Sequence, residues 1–126
     1  MRSRVQPIAQ DDVDAAAAFI ANRNFSAGVR FLDAFRTTVT RIEDHPRLGR
    51  PVTLTLHPAI EVRSVPVVGF RTWRAFYRIH AGVVVVIRVL HGARDIGAIL
   101  ADDLAGPDTD DADADPEATG PTEKDV

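Results

Sequence analysis

The segment Val83-Val84-Val85-Val86-Ile87-Arg88-Val89-Leu90 decides the fold. It is almost entirely aliphatic and mostly β-branched, which is typical of a central strand that is buried on both faces. The preceding stretch, Arg71–Ile79, alternates instead, as a strand with one buried face does. One face of that strand is predicted to carry Trp73, Ala75, Tyr77 and Ile79, and the other Thr72, Arg74, Phe76 and Arg78. Between the two strands, His80-Ala81-Gly82 predicts a three-residue hairpin turn.

Helical spacing precedes these strands. Apolar residues recur at helical intervals from about Ala9 to Asn22, and a second helix is predicted up to about Asp44 with Ser26 as its N-cap. A short connection between two helices predicts an antiparallel helix hairpin. Its apolar face requires a partner from downstream in the chain.

Shorter elements complete the predicted fold. Ser3–Gln6 is a candidate strand, and Ile60–Val68 is another in which Pro66 indicates an edge position or a bulge. Asp95 is the predicted cap of a last helix that Gly106 and Pro107 close. The sequence therefore predicts an α+β domain, with an N-terminal antiparallel helix hairpin packed on a small, mainly antiparallel β-sheet and a short C-terminal helix.

Charge divides the chain of 126 residues into two parts. Residues 1–105 hold fourteen arginines, no lysine and ten acidic residues, a net charge of +4, whereas residues 106–126 hold one lysine and eight acidic residues, a net charge of −7. We expect residues 1–105 to form the folded domain and residues 106–126 to be a disordered acidic tail. A basic domain suits an anionic partner, although arginine in place of lysine is also explained by genomic base composition.

Several classes of function find no support in the sequence. Cysteine is absent, no histidine pair has metal-ligand spacing, and no glycine-rich phosphate loop occurs, so we expect neither a metal nor a cofactor. The longest apolar stretches are far shorter than the ~20 residues that cross a bilayer. The N-terminus does not resemble a secretory signal. The sequence predicts a cytoplasmic protein with no membrane partner.

The run Arg88–Asp95 is the strongest candidate for a functional site. It carries Arg88 in an aliphatic strand, His91 at the end of that strand and Arg94 at the start of a helix. Arg63, Arg74 and Arg78 on neighbouring strands are expected to share this surface. The alternative is a structural cluster of salt bridges, for example with Asp95 or Glu61, because a buried arginine is tolerated when it is paired.

These residues resemble the ParE side of the RelE/ParE toxin superfamily. The resemblance covers about residues 5–104 and rests on Arg88–Asp95 after its Val-rich strand, on Phe76-Tyr77-Arg78, and on the loop Pro46-Arg47-Leu48-Gly49-Arg50-Pro51. Glu61-Val62-Arg63 and Val67-Val68-Gly69-Phe70-Arg71 match as well. The resemblance implies the toxin of a type II toxin–antitoxin module, which a cognate antitoxin neutralises by direct binding in a hetero-oligomer.

The resemblance leaves two mechanisms open. ParE-like members are associated with inhibition of DNA gyrase and lack the catalytic set of RelE-like members, which cleave mRNA on the ribosome with Arg, Lys and a C-terminal Tyr. If this chain is a nuclease, His91 is the candidate base and Arg63, Arg78 and Arg94 are the candidate cations. The domain has no lysine, and the only tyrosine, Tyr77, lies in mid-strand. These departures favour gyrase as the target over the ribosome.

The resemblance also implies an antitoxin-binding surface. We expect an antitoxin segment to cover the arginine-bearing sheet surface and to pair with an edge strand. The expected binding residues, for antitoxin or target, are Arg63, Arg74, Arg78, Arg88 and Arg94. The acidic tail is either a competitor for these arginines or a solvated segment that aids solubility.

Overall fold

The computed structural model describes residues 1–54, 57–92 and 96–105, which contain three helices and five strands. In chain order the elements are β1 (Arg2–Val5), α1 (Pro7–Ala21), α2 (Phe25–Asp44), β2 (Arg50–Val52), β3 (Val62–Val67), β4 (Phe70–His80), β5 (Val83–His91) and α3 (Ile96–Ala105). The predicted α+β class is confirmed, as are the helix hairpin, the mainly antiparallel sheet and the short C-terminal helix.

The five strands form one sheet in the order β1-β5-β4-β3-β2. β1 pairs with β5 in parallel, and the other neighbours are antiparallel. β5 is an interior strand, as its aliphatic sequence predicts. The turn before it is tighter than predicted, because His80 pairs with Val83 and only two residues connect the strands. Ala81 and Gly82 have φ values of 52° and 77°, the positive values that a type I′ turn requires.

The two faces of the sheet have separate apolar cores. The hairpin face, covered by α1 and α2, includes Val65, Val67, Ala75, Tyr77, Val84, Val86 and Val89. The α3 face, covered in part by α3, includes Val62, Phe76, Val85, Ile87 and Leu90. The predicted alternation of β4 is confirmed, since Tyr77 and Phe76 lie in different cores. Pro66 lies at a register shift between β3 and β4, as a proline inside a strand indicates.

Small residues allow α1 and α2 to pack closely where the helix hairpin turns. A Cβ atom at Gly28 of α2 would lie 2.5 Å from the Cβ of Ala21 and 2.7 Å from the carbonyl oxygen of Ala17, so only glycine allows this approach. The prediction of Ser26 as the N-cap of α2 is wrong. The cap is Asn24, whose side-chain oxygen accepts a hydrogen bond from Ala27 N at 3.1 Å, and Ser26 lies within the first turn.

Two predictions concern residues outside the described ranges. The proposed helix cap Asp95 and the acidic segment 106–126 both fall there, and the division into residues 1–105 and 106–126 stays a prediction. Among the helices that the structure describes, none combines the length and apolarity needed to cross a membrane.

Candidate interaction surface

Arg88 is held by two carboxylates from different elements. Its Nε and Nη2 atoms donate to the two oxygens of Asp12 in α1 at 2.7 and 2.9 Å, and its Nη1 donates to Asp103 in α3 at 3.0 Å. The side chains of Arg88 and Asp12 are each 14% exposed. The hydrogen bonds that Arg88 donates to Asp12, opposed by partial burial, raise the pKa of Arg88 above its ordinary value. This geometry is that of a structural ion pair that joins both helical layers to the sheet.

The local backbone explains why Arg88 meets Asp12. Phe76 pairs with Arg88 while Tyr77 pairs with Val86, so Ile87 is an extra residue in β5. β1 ends at Val5, opposite Val86, and the rest of β5 extends past it. There Asp12 Oδ2, which also accepts from Arg88 Nε, accepts a hydrogen bond from Val89 N at 3.0 Å. The bulge and the short first strand together place Arg88 beside α1.

Arg74 and Arg78 lie on the α3 face, because they pair with Leu90 and Val85 of its core. The Nε and Nη2 atoms of Arg74 donate to the hydroxyl of Ser64 at 3.2 and 3.0 Å, and Nη2 also contacts the Ser64 carbonyl oxygen at 3.4 Å. Arg78 contacts Nδ1 of His80 at 3.2 Å. Within the described ranges, no carboxylate forms a salt bridge with either arginine.

A third arginine extends this surface. Arg50 in β2 pairs with Ser64, and Ser64 pairs with Phe76, so Arg50 lies on the same face two strands from β4. Partial burial and the positive charge of Arg50 lower the pKa of Arg74. We call Arg50, Arg74 and Arg78 the arginine cluster. Arg50 and Arg74 repel each other, and an added anion would relieve that repulsion.

Arg63 does not share this surface, which corrects the sequence-based expectation. It pairs with Tyr77 and therefore lies on the hairpin face. Its Nη1 donates to the Gly49 carbonyl oxygen at 2.7 Å, and its Nη2 forms a salt bridge with Glu61 at 2.6 Å. The alternation within β3 is clear from sequence, but the register with β4 decides which alternate set faces the helices. Arg63 thus supports the loop after α2.

Tyr77 supports the same loop. Its hydroxyl donates to the Pro46 carbonyl oxygen at 2.7 Å and accepts from Gly49 N at 2.8 Å. The side chain is fully buried, and burial is the main cause that raises its pKa. A Cβ atom at Gly49 would lie 2.8 Å from the Tyr77 ring, so the loop needs glycine there. The only tyrosine of the chain is committed to this structural role.

The structure does not bring the candidate nuclease residues together. His91 pairs with Trp73 on the hairpin face, and the two ring centroids lie 5.2 Å apart. Arg63 pairs with Tyr77, four residues along β4 from Trp73, which is about 13 Å in the strand direction. Arg78 faces the opposite side of the sheet. Arg94 lies outside the described residues.

The important residues that sequence reasoning missed are Asp12, Asp103, Arg50 and Ser64. Asp12 and Arg88 are 76 positions apart, and no local pattern links them. In the sequence, Arg50 stands out only as part of the Pro46–Pro51 loop. The alternation of side chains within β2 and β3 does not show that Arg50 and Ser64 share a face, because that depends on the register between the two strands. No group of three residues able to hold a metal ion occurs in the described part of the chain.

Sequence comparison identifies the family. The family model described as the ParE toxin of the type II toxin–antitoxin system parDE matches residues 4–96, which is well over half of the chain. No curated protein matches the chain. The match begins in β1 and reaches the start of α3, so it spans the helix hairpin and all of the sheet except the first two residues of β1. The chain belongs to the ParE toxin family of type II toxin–antitoxin systems, and this membership implies an antitoxin partner.

Proposed function

We propose that this toxin acts by binding DNA gyrase and inhibiting it, without cleaving nucleic acid. One observation carries the proposal, namely the separation of the candidate nuclease residues. His91 and Arg63 lie about 13 Å apart along the strand direction, and Arg78 lies on the other face of the sheet. The choice of gyrase as the target rests on the resemblance to ParE-like members.

The chemistry of RNA cleavage explains why this separation matters. Attack of a ribose 2′-hydroxyl on the adjacent phosphate requires a base, an acid and a cation around one phosphorus atom. Tyr77 cannot serve as the acid, because its hydroxyl is hydrogen-bonded to Pro46 and Gly49 and its side chain is fully buried. No position of Arg94 would bring Arg63 and Arg78 to the same face. Binding requires less, because a cationic surface can steer and orient an acidic partner without any reacting group.

Two assays on the purified toxin test this mechanism. The expected result is inhibition of gyrase supercoiling with ribosome-bound message left intact. Cleavage of message would overturn the proposal and favour a ribosome-dependent endoribonuclease. In that case His91→Ala would identify the base by abolishing cleavage. Growth that is unimpaired when the toxin is expressed without antitoxin would also overturn the proposal, since it would indicate a remnant without toxicity.

We also propose that acidic antitoxin residues bind Arg74 and Arg78 on the α3 face. Arg63 and Arg88 are left out of the proposed antitoxin-binding residues, because each already has a carboxylate partner within the chain. Combined Arg74→Glu and Arg78→Glu should weaken antitoxin binding at least about a hundredfold, as interfacial charge reversal does. The matched control is Arg30→Glu with Arg36→Glu on the exposed surface of α2. Equal affinities for the two double variants would refute this placement.

A further inference from the structure

The arginine cluster has the geometry of a site for an extended acidic chain. Arg74 and Arg78 are four residues apart on β4 and face the same way, so their Cα atoms lie about 13 Å apart. Arg50 lies about 10 Å to one side, level with Phe76 between them. Phe76 and Ser64 beneath the cluster are buried, whereas Arg50 is exposed and Arg74 and Arg78 are half-buried. The cluster therefore presents two arginines in line along β4, with a third to one side, all at least partly exposed to solvent.

The segment that follows α3 carries acids at the matching interval. Asp111, Asp113, Asp115 and Glu117 occupy alternate positions. In an extended chain, alternate side chains lie on one side and residues four apart are about 13 Å apart. Asp111 with Asp115, or Asp113 with Glu117, would then meet Arg74 and Arg78 together. Pro116 is compatible with an extended backbone, since its ring fixes φ at about −65°, a value found in extended chains.

The end of α3, from which this segment continues, lies on the same face of the sheet as the arginine cluster. Leu100 and Leu104 of α3 pack in the same core as Phe76 and Val62 of the α3 face. The strands from β5 to β2 span about 14 Å across the sheet. Asp111 is six positions beyond Ala105, and an extended chain over six positions reaches about 20 Å. This reach exceeds the width of the sheet from β5 to β2, the strands across which the arginine cluster lies.

We propose that residues 108–117 of this chain dock in an extended conformation on the arginine cluster. The contacts are ion pairs from acids four residues apart to Arg74 and Arg78, with Arg50 beside them. The docked segment masks the α3 face, so any acidic partner of that face has to displace it. This inference concerns the chain alone and does not depend on gyrase as the target.

The experiment compares amide NMR spectra of three full-length proteins. The first is the native chain, and the second has Asp111→Asn, Asp113→Asn, Asp115→Asn and Glu117→Gln. The third combines Thr109→Asp, Asp113→Thr, Asp115→Ala and Ala118→Asp, which keeps composition and net charge but leaves no two acids four residues apart. Spectra are recorded at about 20 mM and about 0.5 M salt, where the Debye length falls from about 20 Å to about 4 Å.

Docking predicts that, at low salt, β3 and β4 signals near Ser64 and Phe76 differ between the native and neutralised chains. The difference should vanish at high salt, and the rearranged chain should match the neutralised one. A synthetic peptide of residues 108–117, added to the neutralised chain, should restore the native signals. Identical low-salt spectra would overturn docking. A rearranged chain that matches the native one would overturn the register, and shifts confined to α1 and α2 would overturn the placement.

Discussion

Half-buried arginines have opposite surroundings in two regions, the part of β5 that extends past β1 and the α3 face. In the first region, Arg88 has carboxylates from Asp12 and Asp103 within 3.0 Å. On the α3 face, Arg74 has a serine hydroxyl and a second arginine as its nearest polar environment. An arginine that is neutralised inside the fold holds elements together, whereas an arginine left cationic at a surface is available to an external anion. Burial alone does not distinguish these two roles.

The largest expected effect is that of Arg88→Met. The substitution removes the cation that the carboxylate of Asp12 binds at a site where both side chains are only 14% exposed, and breaking a buried ion pair in this way costs about 3–5 kcal/mol. Urea denaturation would measure the change in the free energy of unfolding. Arg88 would not be structural if the loss were below about 1 kcal/mol.

Removal of the Tyr77 hydroxyl should have an intermediate effect. Tyr77→Phe leaves the Gly49 N–H and the Pro46 carbonyl without their partner. An unsatisfied buried group costs about 1–3 kcal/mol. The free energy of unfolding gives the magnitude, and increased protease cleavage within residues 46–50 would show that the loop has lost its support. An unchanged stability would mean that water replaces the hydroxyl, and the loop would then be less closed than its geometry indicates.

Alkaline pH provides a second test of Tyr77. Burial raises its pKa above the ordinary value of 10.0, so the unfolded chain loses the phenolic proton at lower pH than the folded chain does. The contribution of Tyr77 to stability is therefore complete below pH 10 and declines as the pH rises through the folded pKa. Above pH 10 the native protein should lose stability faster than Tyr77→Phe. Ultraviolet absorbance of the single tyrosine would follow the titration, and a midpoint at or below 10 contradicts the prediction.

The matched substitution on the α3 face should have a smaller effect on folding. Arg74→Met retains the aliphatic stem, removes the contacts to Ser64 and relieves the repulsion from Arg50. We expect a loss of about 1 kcal/mol or less in the free energy of unfolding. A loss as large as that of Arg88→Met would remove the distinction between the two regions.

The smallest effect is expected at an exposed ion pair. Arg36 and Asp33 on α2 are 3.1 Å apart, but their side chains are 77% and 75% exposed. Arg36→Ala should change the free energy of unfolding by less than about 0.5 kcal/mol. This variant gives the baseline for loss of an arginine without burial. A larger effect would mean that surface charge contributes to stability in its own right.

The sequence predicts the elements of this fold better than the contacts between them. The alternation of β4 correctly separates Trp73 and Tyr77 from Arg74 and Arg78, because a strand has a fixed period of two. The face of Arg63 was predicted wrongly, since it depends on the register between β3 and β4. Local periodicity carries no information about register between strands.

The candidate site shows the same division. Sequence reasoning selected Arg88 correctly as an unusual residue in an aliphatic strand, and the structural alternative of a salt-bridge cluster fits its contacts. Among the described residues the partners of Arg88 are Asp12 and Asp103, whereas Glu61 pairs with Arg63, and Asp95 lies outside the described ranges. The bulge at Ile87 and the end of β1 at Val5 determine that pairing. Neither feature has a strong local signal in the sequence.

Asp12 has one more consequence, which concerns solubility. Where β1 ends, its carboxylate takes the hydrogen bond from Val89 N that a neighbouring strand would otherwise accept. A strand with unpaired backbone groups recruits strands from other molecules, and a charged side chain at that position discourages such recruitment. Asp12 thus leaves one fewer unpaired backbone group beside the end of β1, and we expect Asp12→Ala to favour aggregation as well as unfolding.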